Sequence, residues 1–483
     1  MAKNLVLFPR PARDSFELAH KARKGIARQF EELWKQGWPL QEYTKSVEGA
    51  PDIEGHWYEY VPSSYDGSVE VPLVVSFHAG HYFASAQVFD TCWCEIAERE
   101  GFIVVFPEAL AHGCFGSSDA TRKLEPDHDD VRFILALLDD LQQRYSIDAS
   151  RLYLHGMSRG GVFAAELTYL FGSRFAGLGS SCSLTMSAIL DSLEVEEGTD
   201  LAPMPIIQMR SAFDAVVPYR ERNPSELVNK NRHFWMERNE CEGMPELHIG
   251  SRELVAYYRG TKADYVLRES AFHNHYEAIS DAEDCWSLFS TVRRAADGSI
   301  ERIDGGLEFE PDVKAIAIGD MSSHALVDGK LVSTGAMIRQ YRDVNARRRG
   351  GFQSPIWAEA IARELDGKDM HVYYYAPVSF VGLAFGLEAI VDDDRATITM
   401  PDGSNVEFVR GSSAAIVGNR VRNMGQAARD VDGNFCIPID WFAEFAMGLC
   451  TAEKDGVLYI ADHQVVLTST FAAIIREIIG WGA

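Results

Sequence analysis

The chain has 483 residues, 46% hydrophobic and 24% charged, with 71 acidic against 46 basic residues and a formal net charge of −25. That length predicts two or three domains, and the composition excludes wholesale disorder, collagen and coiled coil. The negative charge argues against nucleic acid and anionic lipid as partners, and no apolar run reaches the ~18 residues of a transmembrane helix.

At the N-terminus only Leu5 to Phe8 are apolar before Pro9 and Arg10 intervene, so no signal-peptide core is read. A cytoplasmic protein is expected, or a secreted one if a leader has been removed. The eight cysteines are scattered and are expected to be mainly buried thiols; Cys92 and Cys94 lack the second pair of a zinc knuckle.

Residues 14 to about 36 have helical spacing and many charges, and residues 1–50 are assigned to a helical N-terminal arm. From His56 the pattern changes. HWYEYVPSSYDG and VPLVVSFHAG read as two strands joined by a turn, and Gly101 to Pro107 as another short strand. Val131, Ile134, Leu135, Leu138 and Leu141 lie on one face of a helix over 129–145. Arg151–Leu154 reads as a strand and Val162–Phe171 as a helix, with further strands at Pro205–Met209 and Tyr265–Leu267. Strands alternating with helices predict an α/β fold with a mainly parallel sheet, here assigned to 51–297.

The chemistry-bearing motif is His155-Gly156-Met157-Ser158-Arg159-Gly160-Gly161, a G-x-S-x-G between a predicted strand and a predicted helix. That is the setting of a nucleophile elbow. The tight turn leaves no room for side chains flanking the serine, and the helix N-terminus offers dipole and free amides to an oxyanion. A nucleophilic serine needs a base and an orienting acid. Asp214 follows an apolar strand, where the acid loop belongs. His273 and His275 both follow the last predicted strand, and both are candidates for the base. Oxyanion donors are expected from the amides of Arg159 and of the loop Ala79, Gly80 and His81, which follows VPLVV. His81, Tyr82, Phe83, Phe213 and Tyr276 flank these positions, either as an aromatic-lined acyl pocket or as plain core.

After about residue 300 the sequence carries an internal repeat with a period of about 61 residues. One copy starts at Ala376 and the other at Ile437, each running strand, Pro, short helix, Gly, strand, acidic turn, strand. Pro377 and Gly386 in the first copy answer Pro438 and Gly448 in the second. This repeat resembles the copper amine oxidase N-terminal-like (stalk) domain over about residues 310–470, and a smaller α+β two-repeat domain with a C-terminal helix is assigned to 298–483. The name carries no implication of copper. No cofactor or metal is expected, since His371 and His463 stand alone and His273-x-His275 has no third ligand nearby.

The ordered segments VPSSYDG, VPLVVSFHAG, GFIVVFPEA, DDVRFILALLDDL, YSIDASRLYLHGMSRGG and FDAVVPY resemble polyhydroxybutyrate depolymerases and the related feruloyl and acetylxylan esterases over about residues 55–295. The resemblance implies an α/β-hydrolase fold and hydrolysis of a small-molecule ester through an acyl-enzyme. Ser158 matches the family's nucleophile, Asp214 its acid and His275 its base. The sequence departs from the family at His78-Ala79, where His-Gly is usual, and at Ala271-Phe272-His273-Asn274, which replaces glycines. Both changes line the pocket, so the family's substrates do not transfer; an aromatic or hydroxyacyl ester is expected. Amide hydrolysis would use the same residues, and the repeat domain motivates a second reading, a binding or surface-attachment protein on a hydrolase scaffold. A homo-oligomer is compatible with the sequence.

Overall fold

The computed structural model describes residues 40–111, 113–116, 122–193, 200–214, 224–271, 274–275, 277–278, 280–343 and 371–480. The helical reading of 14–36 lies outside them. The chain divides into two compact units, Met1–Pro245 with Ala256–Phe309, and Glu246–Val255 with Glu310–Ala483. Among the described residues no helix is long and apolar enough to cross a membrane.

The first unit is built on a large sheet. The strands of this sheet are β1 (Leu40–Val47), β2 (Ala50–Tyr60), β3 (Val71–Phe77), β4 (Ile103–Pro107), β5 (Ile147–Met157), β6 (Gly177–Ser181), β7 (Ile206–Ser211), β8 (Glu246–Ile249), β9 (Glu253–Tyr258) and β10 (Tyr265–Ser270), of which β8 and the start of β9 fall in the segment Glu246–Val255 grouped with the second unit. They lie in the order β1-β2-β4-β3-β5-β6-β7-β10-β9-β8. From β4 through β10 the pairings are parallel, while β1–β2 and β2–β4 are antiparallel. Strands β4 and β6 are buried along their whole length and β3 along almost all of it, which accounts for the unbroken apolar runs at 71–75 and 103–107.

Three expectations need correction. The runs around 56–60 and 71–77 do not pair as neighbours, because β4 lies between β2 and β3. The helices Ala84–Asp90 and Trp93–Glu100 form the crossover that carries β4 back parallel to β3. The arm assigned to residues 1–50 ends in strand, since β1 pairs with β2 through the Gly49 turn (φ 93°) and Tyr43 stacks on Trp57 at 5.2 Å. The first unit also runs on to Phe309, past the expected boundary at 297, because Ile300–Arg302 pairs antiparallel with Val292–Arg294.

The second unit shows the expected repeat. In the first copy, strand His371–Pro377 leads to helix Val378–Phe385, to Gly386 in the left-handed region (φ 66°), and to strands Glu388–Val391 and Arg395–Thr399. In the second, strand Asn434–Pro438 leads to a short helical stretch, Gly448 (φ 68°), and strands Cys450–Lys454 and Val457–Ala461. The lead strands of the two copies pair with each other in a four-stranded sheet, and the last two strands of each copy sit in a five-stranded sheet. The first continues into 405–409, 414–417 and 420–423; the second is completed by 315–319, 324–327 and 330–333, from the other end of the unit. The likeness of Ser322-Ser323-His324-Ala325 to Ser412-Ser413-Ala414-Ala415 was the available signal for this closure. Both copies feed one core, in which Ile318, Phe380, Ile398, Ile437, Phe442 and Leu458 are buried together.

Ile318 is fully buried where the two ends of the unit pair, whereas Val421 is 70% exposed on a sheet edge. Ile318→Ala should therefore cost roughly 2–5 kcal/mol, and Val421→Ala no more than about 0.5 kcal/mol. Urea denaturation of the full chain reads both, and equal costs would contradict the closure.

Candidate active site

Residue 158 sits where β5 ends and the helix Arg159–Phe171 begins. Its backbone is in an uncommon conformation, φ 54° and ψ −117°. The turn is held by Ser158 N donating to Ser181 O at 2.8 Å and Val162 N donating to Ser158 O at 3.0 Å. The neighbouring glycines are required by space. A Cβ on Gly156 would press on the Gly160 backbone, one on Gly160 would strike the carbonyl oxygens of Phe77 and His78, and one on Gly161 would strike Ser183 and the Gly156 carbonyl. The G-x-S-x-G spacing is thus a packing constraint that leaves the serine side chain pointing outward.

Three side chains meet there. His275 Nε2 lies 2.8 Å from Ser158 Oγ, and its Nδ1 lies 3.0 Å from both carboxylate oxygens of Asp214. Asp214 follows β7, with its amide donating to Ser211 O, and its side chain is almost fully buried. A carboxylate only accepts, so the histidine proton sits on Nδ1 and the Nε2 lone pair faces the serine hydroxyl. This arrangement can take a proton from Ser158 as its oxygen attacks an electrophilic carbon.

Arg159 opens the helix, so its amide has no acceptor within the helix. Gly80 packs on it, as a Cβ at Gly80 would lie 3.2 Å from Arg159 Cβ and 3.3 Å from Cys114 Sγ. The Ala79–Gly80 stretch is thereby brought to the serine. The amide of His81 is not free for this task, because it donates to Gly113 O at 2.7 Å; Tyr82 N donates to Ala79 O at 3.1 Å. His81 itself is exposed and has φ 57°. Tyr82 donates its hydroxyl to Asp90 at 2.6 Å and stacks on Phe83, which is core. Phe213, next to Asp214, is 63% exposed. His273 and Tyr276 lie outside the described residues. Of the arginines in the segment 339–351, Arg339 has a described side chain, and it pairs with Asp432.

Below the serine lies a buried polar network that the sequence reading missed. His155 Nδ1 accepts from Trp93 Nε1 at 3.0 Å and lies 2.9 Å from Ser76 Oγ. The indole can only donate, so the His155 proton sits on Nε2, which lies 2.9 Å from Glu277 Oε1. Gln87 Nε2 donates to Glu277 Oε2 at 3.0 Å and to Ser76 Oγ at 3.1 Å. Glu277 is two residues beyond His275, so this network fixes the loop that carries the histidine. His155 was visible within the serine motif, but its partners are far off in sequence. Cys182 was missed as well; its thiol lies within 4.8 Å of the ligand atoms of Asp214 and His275.

The Arg159 side chain turns inward, donating to Phe115 O at 2.8 Å and to Glu166 Oε2 at 3.2 Å. Burial raises the Glu166 carboxyl from 4.5 to about 7, against the opposing pull of the Arg159 charge. Asp130, whose carboxylate accepts from the amides of Leu110 and Gly116, is also pushed up by burial.

The strand order, a serine at a strand-turn-helix elbow, and an acid and a histidine that follow it in the order Ser, Asp, His define the α/β-hydrolase class. Residues 58–212 match the family described as Esterase PHB depolymerase, and residues 372–456 the family described as Copper amine oxidase N-terminal domain. The chain is 24% identical over 182 residues to a bifunctional acetylxylan esterase/xylanase from Neocallimastix patriciarum, covering 38% of this chain and 24% of that protein. It is 24% identical over 205 residues to feruloyl esterase B from Piromyces equi, covering 41% of this chain and 38% of that one. The chain thus spans well under half the length of these curated relatives. Among solved structures it is similar to an acetyl xylan esterase from Aspergillus awamori, with a TM-score of 0.40 and 16% identity over 52% of this chain and 98% of that one.

Two expectations follow from the geometry. In Gly160→Ala the new methyl meets backbone on β3 that cannot swing aside, so the melting temperature should fall by several degrees, as about 1–3 kcal/mol of overpacking implies; an unchanged melt would refute the packing account of the motif. The second concerns Glu166. A carboxyl raised on folding contributes stability that is full below its unfolded value and lost as pH rises through its folded one. With these values at 4.5 and about 7, Glu166→Gln should flatten part of the fall in melting temperature across that window. Identical pH slopes for the two proteins would refute it.

Proposed function

We propose that the chain is a serine esterase acting on small carboxylic esters without a cofactor. The observation that carries this reading is the row Ser158, His275, Asp214, joined at 2.8 and 3.0 Å on a turn whose glycines admit no side chain. Ser158 Oγ attacks the ester carbonyl carbon while its proton passes to His275 Nε2, and Asp214 holds the imidazolium. The amides of Arg159 and of the Ala79–Gly80 loop stabilise the oxyanion. The carbon–oxygen bond to the leaving alcohol then breaks, and the alcohol takes the proton from Nε2. Water, deprotonated by the same nitrogen, attacks the acyl carbon, and as the bond to Ser158 Oγ breaks that oxygen takes the proton back from Nε2 and the acid leaves.

The acyl group is proposed to be small or aromatic. The names of the relatives point to acetyl and feruloyl esters, and Phe213, exposed beside Asp214, supplies an apolar surface for an aromatic acid.

A p-nitrophenyl ester series from acetyl upward, with methyl ferulate beside it, tests the reading. Ser158→Ala should lower kcat by roughly 10³ or more while leaving the melt intact. His275→Ala should be nearly as damaging, because the two residues act as a unit. A fluorophosphonate should label Ser158. Label on another serine, or a Ser158→Ala protein retaining a tenth of the activity, would sink the mechanism.

A further inference from the structure

His463, which the sequence presents as isolated, is not alone in the fold. It stands beside His248, at the end of β8, and Asp312, all within the unit formed by 246–255 and 310–483. One nitrogen from each ring and one carboxylate oxygen lie within 4.8 Å of one another. His248 Nδ1 is 2.8 Å from Asp312 Oδ1, His463 Nε2 is 3.6 Å from the same oxygen, and the two rings are nearly parallel.

The surroundings hold these groups in place. Asp312 is nearly buried, and its Oδ2 is occupied, accepting from Tyr459 OH at 2.6 Å and from Ile249 N at 2.9 Å. That leaves Oδ1 turned to the two histidines. His463 Nδ1 lies 3.1 Å from Asp462 Oδ1, and its Nε2 lies 3.2 Å from Ile249 O. Both of its ring nitrogens therefore face oxygens that only accept. A neutral imidazole carries one proton, so one nitrogen would point a lone pair at oxygen. A cation bound at Nε2 resolves this. With the proton on Nδ1 toward Asp462, Nε2 gives up its contact with Ile249 O and presents a lone pair for ligation, which is the carboxylate–histidine–metal relation typical of such sites.

We propose that His248 Nδ1, His463 Nε2 and Asp312 Oδ1 bind a divalent first-row cation, zinc in particular, with Asp462 and Tyr459 holding the ligands. Two imidazoles and one carboxylate are a zinc donor set, leaving a fourth position for water. Ligands at about 2.0–2.2 Å from the ion lie roughly 3.3 Å apart in a tetrahedron, close to the separations seen, so a small rotation of the His248 ring off its hydrogen bond admits the ion. Its role is a clip, joining three segments of this unit that lie far apart in sequence; it takes no part in the ester chemistry.

The full chain, stripped with EDTA and dialysed, is titrated with zinc chloride by calorimetry, and cobalt(II) is added separately to read its visible absorption. One tight site per chain, a visible cobalt band and a raised melting temperature are expected. His248→Ala and His463→Ala should each weaken zinc at least tenfold and abolish the cobalt band. His463→Gln, closer in shape, should do the same while keeping the metal-free melt. His275→Ala and Cys182→Ala should leave binding intact, and fluorophosphonate labelling of Ser158 should not change with zinc. No stoichiometric binding, binding that survives loss of both His248 and His463, or binding abolished by His275→Ala would each overturn the proposal, the last by moving the ion to the cluster of Cys182, Asp214 and His275.

Discussion

The first unit is organised around the backbone of one residue. A non-glycine residue at φ 54° and ψ −117° is strained by about 1–3 kcal/mol, and such a conformation persists only where its surroundings over-determine it. Ser158 is held by β6 through the Ser181 carbonyl and by its own helix through Val162. The helix in turn lies so close to β3 that Gly160 touches the carbonyls of Phe77 and His78. Three adjacent parallel strands thus fix one hydroxyl at the carboxyl edge of the sheet. Asp214 follows β7, and His275 lies in the loop after β10, so each of the three side chains is delivered from the end of a different strand.

The histidine is the hardest of the three to hold, because it lies beyond the end of β10 and on no strand or helix. The fold anchors it from below, through Glu277 and the buried ring of His155. Burying a carboxylate there is costly, and leaving either partner unpaired would be costlier still. Burial also raises Asp281, with the nearby Glu277 charge adding to the effect, and Arg268 pairs with it at 2.8 Å. The first unit therefore keeps charged groups beneath its apolar sheet at the place where the position of a side chain matters most.

What the sequence made legible follows from how local each signal was. The serine motif, the strand before it and the helix after it lie within about two dozen residues, and their packing needs can be read directly. Asp214 was legible because it directly follows an apolar strand. The choice between His273 and His275 was not settled by spacing and rested on resemblance. Strand β6, GLGSS, has neither alternation nor branched residues, and it forms a strand only because its neighbours bury it. The His155 network and the set of His248, Asp312 and His463 join positions far apart in the chain; His248 and Asp312 are 64 residues apart. No period or motif encodes such a meeting, which only the fold produces.

The second unit meets the same problem with backbone instead of side chains. A repeat read from Ala376 onward would leave strand Val457–Ala461 with an unpaired side, an open template for another chain. The strand Ala315–Gly319 fills it, pairing antiparallel in the register Ile318 to Leu458, as Asn405–Val409 pairs with Arg395–Thr399 in the other copy. The two copies are therefore equivalent in space, although one is contiguous and the other is assembled from both ends of the unit. Of the four edges of these sheets, three are short strands bearing basic residues, with Arg420 and Arg422 flanking the exposed Val421 on one sheet and Lys330 and Lys454 on the two edges of the other, while the fourth, Glu388–Val391, exposes Ile390 and Val391. Pairing by Ala315–Gly319 thus removes the edge that Val457–Ala461 would otherwise present, and basic residues mark three of the edges that remain.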